Sequence, residues 1–155
     1  MISRMLYTAL KLVHILLAIT AVGFNASYAI WLGRAGQMST EINEFALRGV
    51  KFMDDRIASP AYGLLLVTGL VMVFIGPWSL ATRWIDATLV VFVILVLMAV
   101  FFYTPALRNQ IAALEQGGPG SAAYKSAAAR QNLIGILLVV PVLLILYLMV
   151  FKPLS

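Results

Sequence analysis

The chain has 155 residues, of which 63% are hydrophobic and 11% are charged, and its mean hydropathy is +0.99. Soluble domains average about 45–50% apolar and about 25% charged residues, so this composition excludes a soluble protein and requires lipid around most of the chain. The net charge of +5 does not indicate a nucleic-acid partner, because the basic residues are scattered and form no continuous stripe. The absence of cysteine excludes disulfides, thiolate metal sites and cysteine nucleophiles.

Four segments are apolar enough to be membrane-spanning helices, which need about 20 apolar residues to cross about 30 Å of hydrocarbon. In chain order they are residues 6–32, 57–75, 84–103 and 133–151. Their apolar runs do not alternate with polar residues as barrel strands do. We therefore expect an all-α fold, a transmembrane four-helix bundle, with residues 1–155 forming a single integral membrane domain.

The two longer connections are predicted to carry short amphipathic helical extensions on the cytoplasmic side. In "STEINEFALRGVKFMDD", apolar residues recur at helical spacing and Ser39 and Thr40 are candidate caps. This segment is either a helix at the interface or an extension of the second span, whose buried part we expect to begin with Ser59 as N-cap and Pro60 in the first turn. The other connection should break at "GGPGS" and restart as an alanine-rich helix that leads into the fourth span.

The lysine and arginine positions favour one orientation in the membrane. Seven basic residues lie in the two longer connections and four lie on the opposite side. Because cytoplasmic loops carry the excess of basic residues, both termini are predicted outside a bacterial cytoplasmic membrane. The seven are Arg34, Arg48, Lys51, Arg56, Arg108, Lys125 and Arg130, and the four are Arg4, Lys11, Arg83 and Lys152.

The polar residues of the first span share one helix face. The stripe has small residues at its centre, as expected where another helix approaches closely, and the second span offers a matching glycine face. We expect this stripe to face the inside of the bundle. Its members are Lys11, His14, Ala18, Ala21, Asn25, Tyr28 and Leu32, and the glycines are Gly63, Gly69 and Gly76.

The candidate site consists of His14, supported by Lys11 and by Asp86, the one acidic residue inside a predicted span. Ionisable residues inside spans are functional candidates by default. Asp86 could pair with Lys11 or hold one nitrogen of His14, and the cluster could bind a headgroup, relay a proton or support a haem ligand. Two simpler interpretations stay open: a Lys11–Asp86 clasp that fixes helix register, or an interfacial histidine beside a lysine that extends to the headgroups.

Sequence signatures of catalysis are absent. The chain has no Ser–His–Asp set at plausible spacing, no phosphate-binding glycine loop and no paired carboxylates within a span. A single histidine cannot complete a zinc site, which needs three or four ligands, so no metal site is predicted. Haem or a porphyrin bound by His14 remains open, since helix bundles hold cofactors between facing helices.

Four stretches carry a family resemblance: "LKLVHILLAITAVGF" (10–24), "RIASPAYGLLLVTGLVMV" (56–73), "WSLATRWI" (78–85) and "TPALRNQI" (104–111). Together they resemble a family of bacterial four-helix integral membrane proteins that is catalogued as a domain of unknown function. The pattern of Leu10, Lys11 and His14 is also distantly similar to copper-resistance protein D and the J-type protoporphyrinogen oxidase. That similarity implies His14 as a ligand for haem, porphyrin or copper, although this chain has no second histidine.

Three functions are carried forward. The leading one is a non-enzymatic accessory or structural subunit, embedded in the lipid bilayer, that packs against other membrane subunits or a second copy of itself. The alternative is a haem- or porphyrin-handling membrane protein that uses His14, with Lys11 or Asp86 in support. A weaker alternative is a small transporter lined by the polar stripe of the first span.

Overall fold

The computed structural model describes residues 2–153, with side chains described from Arg4 onward. These residues form α-helices and two π-helical turns, without a strand in the described range, which confirms the predicted all-α class. The helices are α1 (Ile2–Ala35), α2 (Thr40–Met53), α3 (Ser59–Ile75), α4 (Arg83–Met98), α5 (Thr104–Gly117) and α6 (Ala122–Phe151).

Two of the four long helices are made of two pieces joined by a π-helical turn. The turn Asp54–Ala58 joins α2 to α3, and the turn Ala99–Tyr103 joins α4 to α5. The joined helices, with α1 and α6, give four helices that are long and apolar enough to cross a membrane. This confirms the predicted transmembrane four-helix fold. The extension predicted before the second span is α2, the predicted alanine-rich extension is the first part of α6, and α5 is a further helical extension.

Each π-helical turn ends two residues before a proline. A proline has no N–H to donate, and its ring collides with the carbonyl four residues earlier, so an unbroken α-helix cannot accept it cheaply. Here the backbone widens: the Ser59 N–H donates to the Asp54 carbonyl, and the Thr104 N–H donates to the Ala99 carbonyl. The prediction that Ser59 caps a new helix was therefore wrong, because the chain passes through it without a break.

The caps at the two connections follow the sequence. Ser39 precedes α2 and its side chain accepts a hydrogen bond from the Ile42 N–H at 3.5 Å, as predicted. Ser121 precedes α6 and accepts from the Tyr124 N–H at 3.1 Å. Gly118, with φ of 71°, ends α5 in a backbone conformation that glycine adopts without strain.

One half of the molecule is densely packed. We call it the loop half: α2, α5, the C-terminal part of α1 and the N-terminal part of α6, which contact one another. Its core consists of nine buried residues, among them Leu47, Leu107 and Leu114, each at most 1% exposed. Buried polar side chains also meet there, since the Asn43 amide donates to the Tyr124 hydroxyl at 2.7 Å.

The opposite half, which we call the termini half, contains the N-terminal part of α1, the C-terminal part of α6 and the short connection between α3 and α4. Here α1 packs along α3 and α4 packs along α6, but α3 and α4 nowhere bring their Cα atoms within 8 Å. Between the two pairs, the backbones of α1 and α6 make a limited contact along the molecule as a whole. The termini half therefore consists of two helix pairs with a gap between them.

Candidate functional site

A cavity of about 770 Å³ lies between the two helix pairs of the termini half. Small-molecule sites in proteins occupy about 300–1,000 Å³ and are mostly apolar with a few polar groups, and this cavity has both properties. Its wall from α3 extends from Tyr62 to Val73, a length of about 16 Å at roughly 1.5 Å per residue. Such a space can hold the apolar part of an amphipathic molecule.

The cavity is polar at the end that lies beside the connection between α3 and α4 and the C-terminus of α6, which we call its outer end. Lys152 lies over two indole rings, with its Nζ 4.8 Å from the Trp78 ring centroid and 5.5 Å from that of Trp84. The two rings meet edge to face at 5.3 Å. Lys11 lines the same end. Cations placed over aromatic faces are held by the ring quadrupole without a carboxylate partner.

Trp84 has an unused donor at this end. The residue is 6% exposed, and its indole N–H finds no hydrogen-bond partner among the described residues. Buried tryptophan N–H groups usually have a partner, because an unsatisfied buried donor costs about 1–3 kcal/mol. An acceptor atom on a bound molecule would supply the missing partner.

His14 lines the cavity, and a partner on α3 faces one of its ring nitrogens. Its Nδ1 lies 2.8 Å from the Thr68 hydroxyl oxygen, which also lies 2.7 Å from the Leu64 carbonyl. When the hydroxyl donates its single proton to that carbonyl, the Nδ1–H donates to the hydroxyl oxygen and Nε2 keeps a free lone pair. In this tautomer a histidine binds a metal or accepts a hydrogen bond through Nε2.

Glycines allow α1 and α3 to approach closely at this site. A Cβ atom at Gly69 would lie 3.2 Å from His14 Cε1, and one at Gly76 would lie 2.6 Å from a ring carbon of Tyr7. The predicted glycine face is confirmed at these two positions. It is wrong at Gly63, which is exposed and has no atom near its missing Cβ, because α3 turns this residue away from α1.

The inner end of the cavity is closed by side chains from three helices. The Asn25 amide donates to the Tyr62 hydroxyl at 2.9 Å and to the Ala21 carbonyl at 3.1 Å. The Tyr62 ring packs against Phe92 with 6.3 Å between centroids. This contact joins α3 to α4 across the gap and forms the floor of the cavity.

The structure places two of the three predicted site residues at the cavity. Lys11 and His14 both line it, whereas Asp86 does not line it and is exposed. Among the described residues Asp86 makes no ion pair, so neither of the two contacts considered for it, with Lys11 or with His14, is present. The rotation of α4 turns Asp86 outward and turns its neighbours Trp84 and Ile85 inward.

Sequence reasoning missed two residues of this site. Thr68 contacts His14, and Lys152 lies over the two indole rings at the outer end. The sequence alone assigns neither residue to the site. Thr68 lies in an otherwise apolar run, "LLLVTGLVMV", and a hydroxyl inside a span was the available signal. Nothing in the sequence places Lys152 beside Trp78, since the two lie in different parts of the chain.

The donor set around the cavity is compatible with a porphyrin. Within residues 2–153, no three His, Cys, Asp or Glu side chains come close enough to hold a metal. A haem could be held by the free Nε2 of His14, by the thioether of Met72 or Met149, and by Lys11 and Lys152 at its carboxylates. Iron of such a haem would supply redox or ligand-binding chemistry.

Helices of this length and hydropathy define a multi-pass integral membrane protein. The family described as "Predicted integral membrane protein (DUF2269)" matches residues 8–153, and the chain belongs to it. The chain matches no curated protein and no solved structure with which it was compared. The distant similarity to copper-resistance protein D and protoporphyrinogen oxidase therefore stays a prediction.

Proposed function

We propose that this protein is a non-enzymatic membrane protein that binds an amphipathic ligand between its two helix pairs. The observation that carries the proposal is the cavity of about 770 Å³, with an apolar wall and a polar outer end. Protein interiors are close-packed, and an apolar void of this size forfeits the dispersion contacts of its lining. A bound molecule restores those contacts.

The proposal is tested by extracting small molecules from the protein purified in mild detergent and identifying them by mass spectrometry. Ala18 lines the cavity and Ala26 is exposed on the same helix, which gives a matched pair of substitutions. We expect a ligand to be retained by the wild type and by Ala26→Phe, and lost from Ala18→Phe, whose ring fills the cavity. Equal retention in both variants, or nothing retained beyond bulk lipid, contradicts the proposal.

Haem is the ligand to test first, because the Thr68 hydroxyl contacts Nδ1 of His14 and leaves Nε2 available to bind iron. We expect a Soret band in the absorbance spectrum of the purified protein, or after haem is added, and its loss in His14→Ala. Thr68→Val keeps the imidazole but removes its acceptor, and such orienting partners are worth about 10–100-fold in affinity. If the protein stays colourless after haem addition, haem is excluded as the ligand, and other amphipathic molecules are still to be tested.

A second candidate function, a subunit that packs against another membrane protein or a second copy, is favoured by a groove on the outer face of α1. The groove has a volume of about 260 Å³ and is lined by Thr20, Gly23 and Ser27 between Ile19 and Phe24. Both hydroxyls donate to carbonyls of their own helix, at 2.9 Å and 2.7 Å. A surface of small residues lets another helix approach closely.

The subunit function is tested at Gly23, since no atom lies within 4 Å of its missing Cβ. The chain contains no cysteine, so Gly23→Cys provides a single crosslinking site. We expect crosslinked pairs or a co-purifying partner in mild detergent, and their loss in Gly23→Leu. A wild-type chain that elutes alone as a monomer contradicts this function.

The orientation is also a proposal: a bacterial cytoplasmic membrane, with the loop half inside and both termini outside. The seven-to-four distribution of basic residues supports it. Gln37 and Leu80 are exposed at opposite ends of the bundle. In intact cells, an impermeant maleimide should label Leu80→Cys, and should label Gln37→Cys only after the membrane is opened. The reverse pattern contradicts the orientation.

A further inference from the structure

The outer end of the cavity carries two positive charges that no acidic side chain balances. Lys11 and Lys152 line the cavity, and no Asp or Glu among the described residues does. The ion pairs that the described residues form involve Arg48 and Lys51, which both lie in the loop half. The two lysines are therefore available to a charged group inside the cavity.

The indole N–H of Trp84 is a third hydrogen-bond donor that would suit an anionic group. Trp84 lines this end, is 6% exposed, and has an indole N–H without a partner among the described residues. An indole N–H can donate but cannot accept, and a lysine ammonium likewise only donates. The two lysine charges and this donor together match an acceptor that carries negative charge.

The apolar wall below these donors fixes the rest of the ligand. From Trp78 at the outer end to Phe92 at the floor, the lining is dominated by aliphatic and aromatic side chains. The floor amides and hydroxyls are already paired, since Asn25 donates to both Tyr62 and Ala21. The ligand body that contacts this wall and floor should therefore be apolar, with its polar part at one end.

We infer that the cavity binds an anionic amphiphile, with a carboxylate or phosphate head held by Lys11, Lys152 and the Trp84 indole N–H, and an apolar body reaching toward Tyr62 and Phe92. This inference rests on the proposed ligand-binding role and specifies the charge and direction of the ligand. In the proposed complex, the Lys152 ammonium moves from its position over the two indole rings to contact the anionic head of the ligand. A charge-assisted hydrogen bond is about twice as strong as a neutral one, which gives the head its selectivity.

The test measures binding by quenching of tryptophan fluorescence with brominated probes. Trp78 and Trp84 line the cavity, and Trp31 is 60% exposed on α1 away from it, so Trp31→Phe leaves the two cavity reporters. The probes are a brominated fatty acid, an alkyl phosphate and a fatty alcohol, all with the same brominated chain. We expect the acid and the phosphate to bind about tenfold or more tightly than the alcohol.

Charge-removing variants locate the selectivity. Lys11→Gln combined with Lys152→Gln should weaken binding of the two anionic probes to the level of the alcohol. Alcohol binding that persists in the double variant shows that it is folded. Arg83→Gln is the matched control, because Arg83 is exposed near the same end but does not line the cavity. It should behave as the parent protein.

Each other outcome overturns a specific statement. Equal binding of acid and alcohol, or selectivity that survives the double lysine variant, overturns the anionic head while leaving the ligand-binding role intact. Displacement of the probes by inorganic phosphate at matched concentration overturns the amphiphile and indicates a site for a free anion. If no probe quenches although Ala18→Phe removes a co-purified ligand, the inference fails alone; if nothing co-purifies either, the proposed function fails with it.

Discussion

The two halves of the molecule use the same long helices in different ways. In the loop half, nine buried residues form one continuous core in which helices from both pairs meet. In the termini half, the backbones of α3 and α4 stay apart and the two helices meet through the Tyr62 and Phe92 rings, which leaves a partly open cavity of about 770 Å³ between the helix pairs. The π-helical turns Asp54–Ala58 and Ala99–Tyr103 lie where the extensions α2 and α5 join the spans α3 and α4.

The difference teaches that this chain concentrates its packed core in one half and leaves the interior of the other half open. The loop half connects the two helix pairs, so the termini half does not need a packed interior to keep the pairs together. An open space between the pairs is then compatible with a stable fold. Substitutions in the two halves should therefore have different effects on the free energy of unfolding, and this difference can be measured.

The largest effect is expected from a leucine in the loop-half core. Leu107 is fully buried, so Leu107→Ala should lower the free energy of unfolding by about 2–5 kcal/mol, the usual range for a large-to-small core substitution. Leu66 lines the cavity and is half-buried, so Leu66→Ala should cost less than half as much in ligand-free protein. Titration of unfolding with a denaturing detergent measures both, and equal losses would remove the distinction between the halves.

The next largest effect is expected where buried polar groups meet in the loop half. The Tyr124 hydroxyl accepts from the Asn43 amide at 2.7 Å and from the Gln110 amide at 3.5 Å, and all three residues are buried. Tyr124→Phe leaves these amides unpaired and should cost about 1–3 kcal/mol in the same titration. Tyr147→Phe is the control, because Tyr147 is 48% exposed and its ring, which survives, packs on Phe151. A near-zero loss at Tyr124 would mean that water reaches this network.

A smaller effect is expected at the floor of the cavity. Tyr62→Phe removes the acceptor of one Asn25 hydrogen bond, but the amide still donates to the Ala21 carbonyl. We expect a loss of about 0.5–1.5 kcal/mol, the net value of an ordinary hydrogen bond. The aromatic contact with Phe92 survives the substitution. A loss as large as that for Tyr124→Phe would show that the floor, too, holds the two pairs together.

The sequence predicted the helices better than their joints. Hydropathy located all four spans, because lipid requires long apolar runs in each. It did not predict α5, whose buried face contains the polar Gln110 beside Leu107 and Leu114 and so weakens the apolar period. The cap pattern correctly predicted Pro60 in the first turn of α3 but wrongly made Ser59 the N-cap, because a local pattern cannot tell a new helix from a π-helical turn in a continuing one.

The candidate site was predicted only in part, because the sequence indicates which face of α1 is buried but not which face of α4 is. The stripe of the first span is directed inward, with Ala21 fully buried and Tyr28 at 2% exposure, since small and polar residues on one face mark helix contact. Lys11 is exposed to the cavity at the end of that stripe. The rotation of α4 was not predictable, because that helix is apolar on all sides and gives no phase. This is why the sequence left open whether Asp86 meets Lys11 and His14, and the structure shows that it does not.

The smallest effect is therefore expected at Asp86. It lies exposed in the first turn of α4, where a negative charge near the positive end of the helix dipole is worth about 0.3–1 kcal/mol. Asp86→Asn should cost no more than this in the unfolding titration and should leave the amount of retained ligand unchanged. A clasp between Asp86 and Lys11 would instead bind α4 to α1 across the gap, and its loss would cost about 3–5 kcal/mol if the pair were buried. A loss of that size would show that the termini half is closed by charge, and that its two helix pairs are joined at both ends.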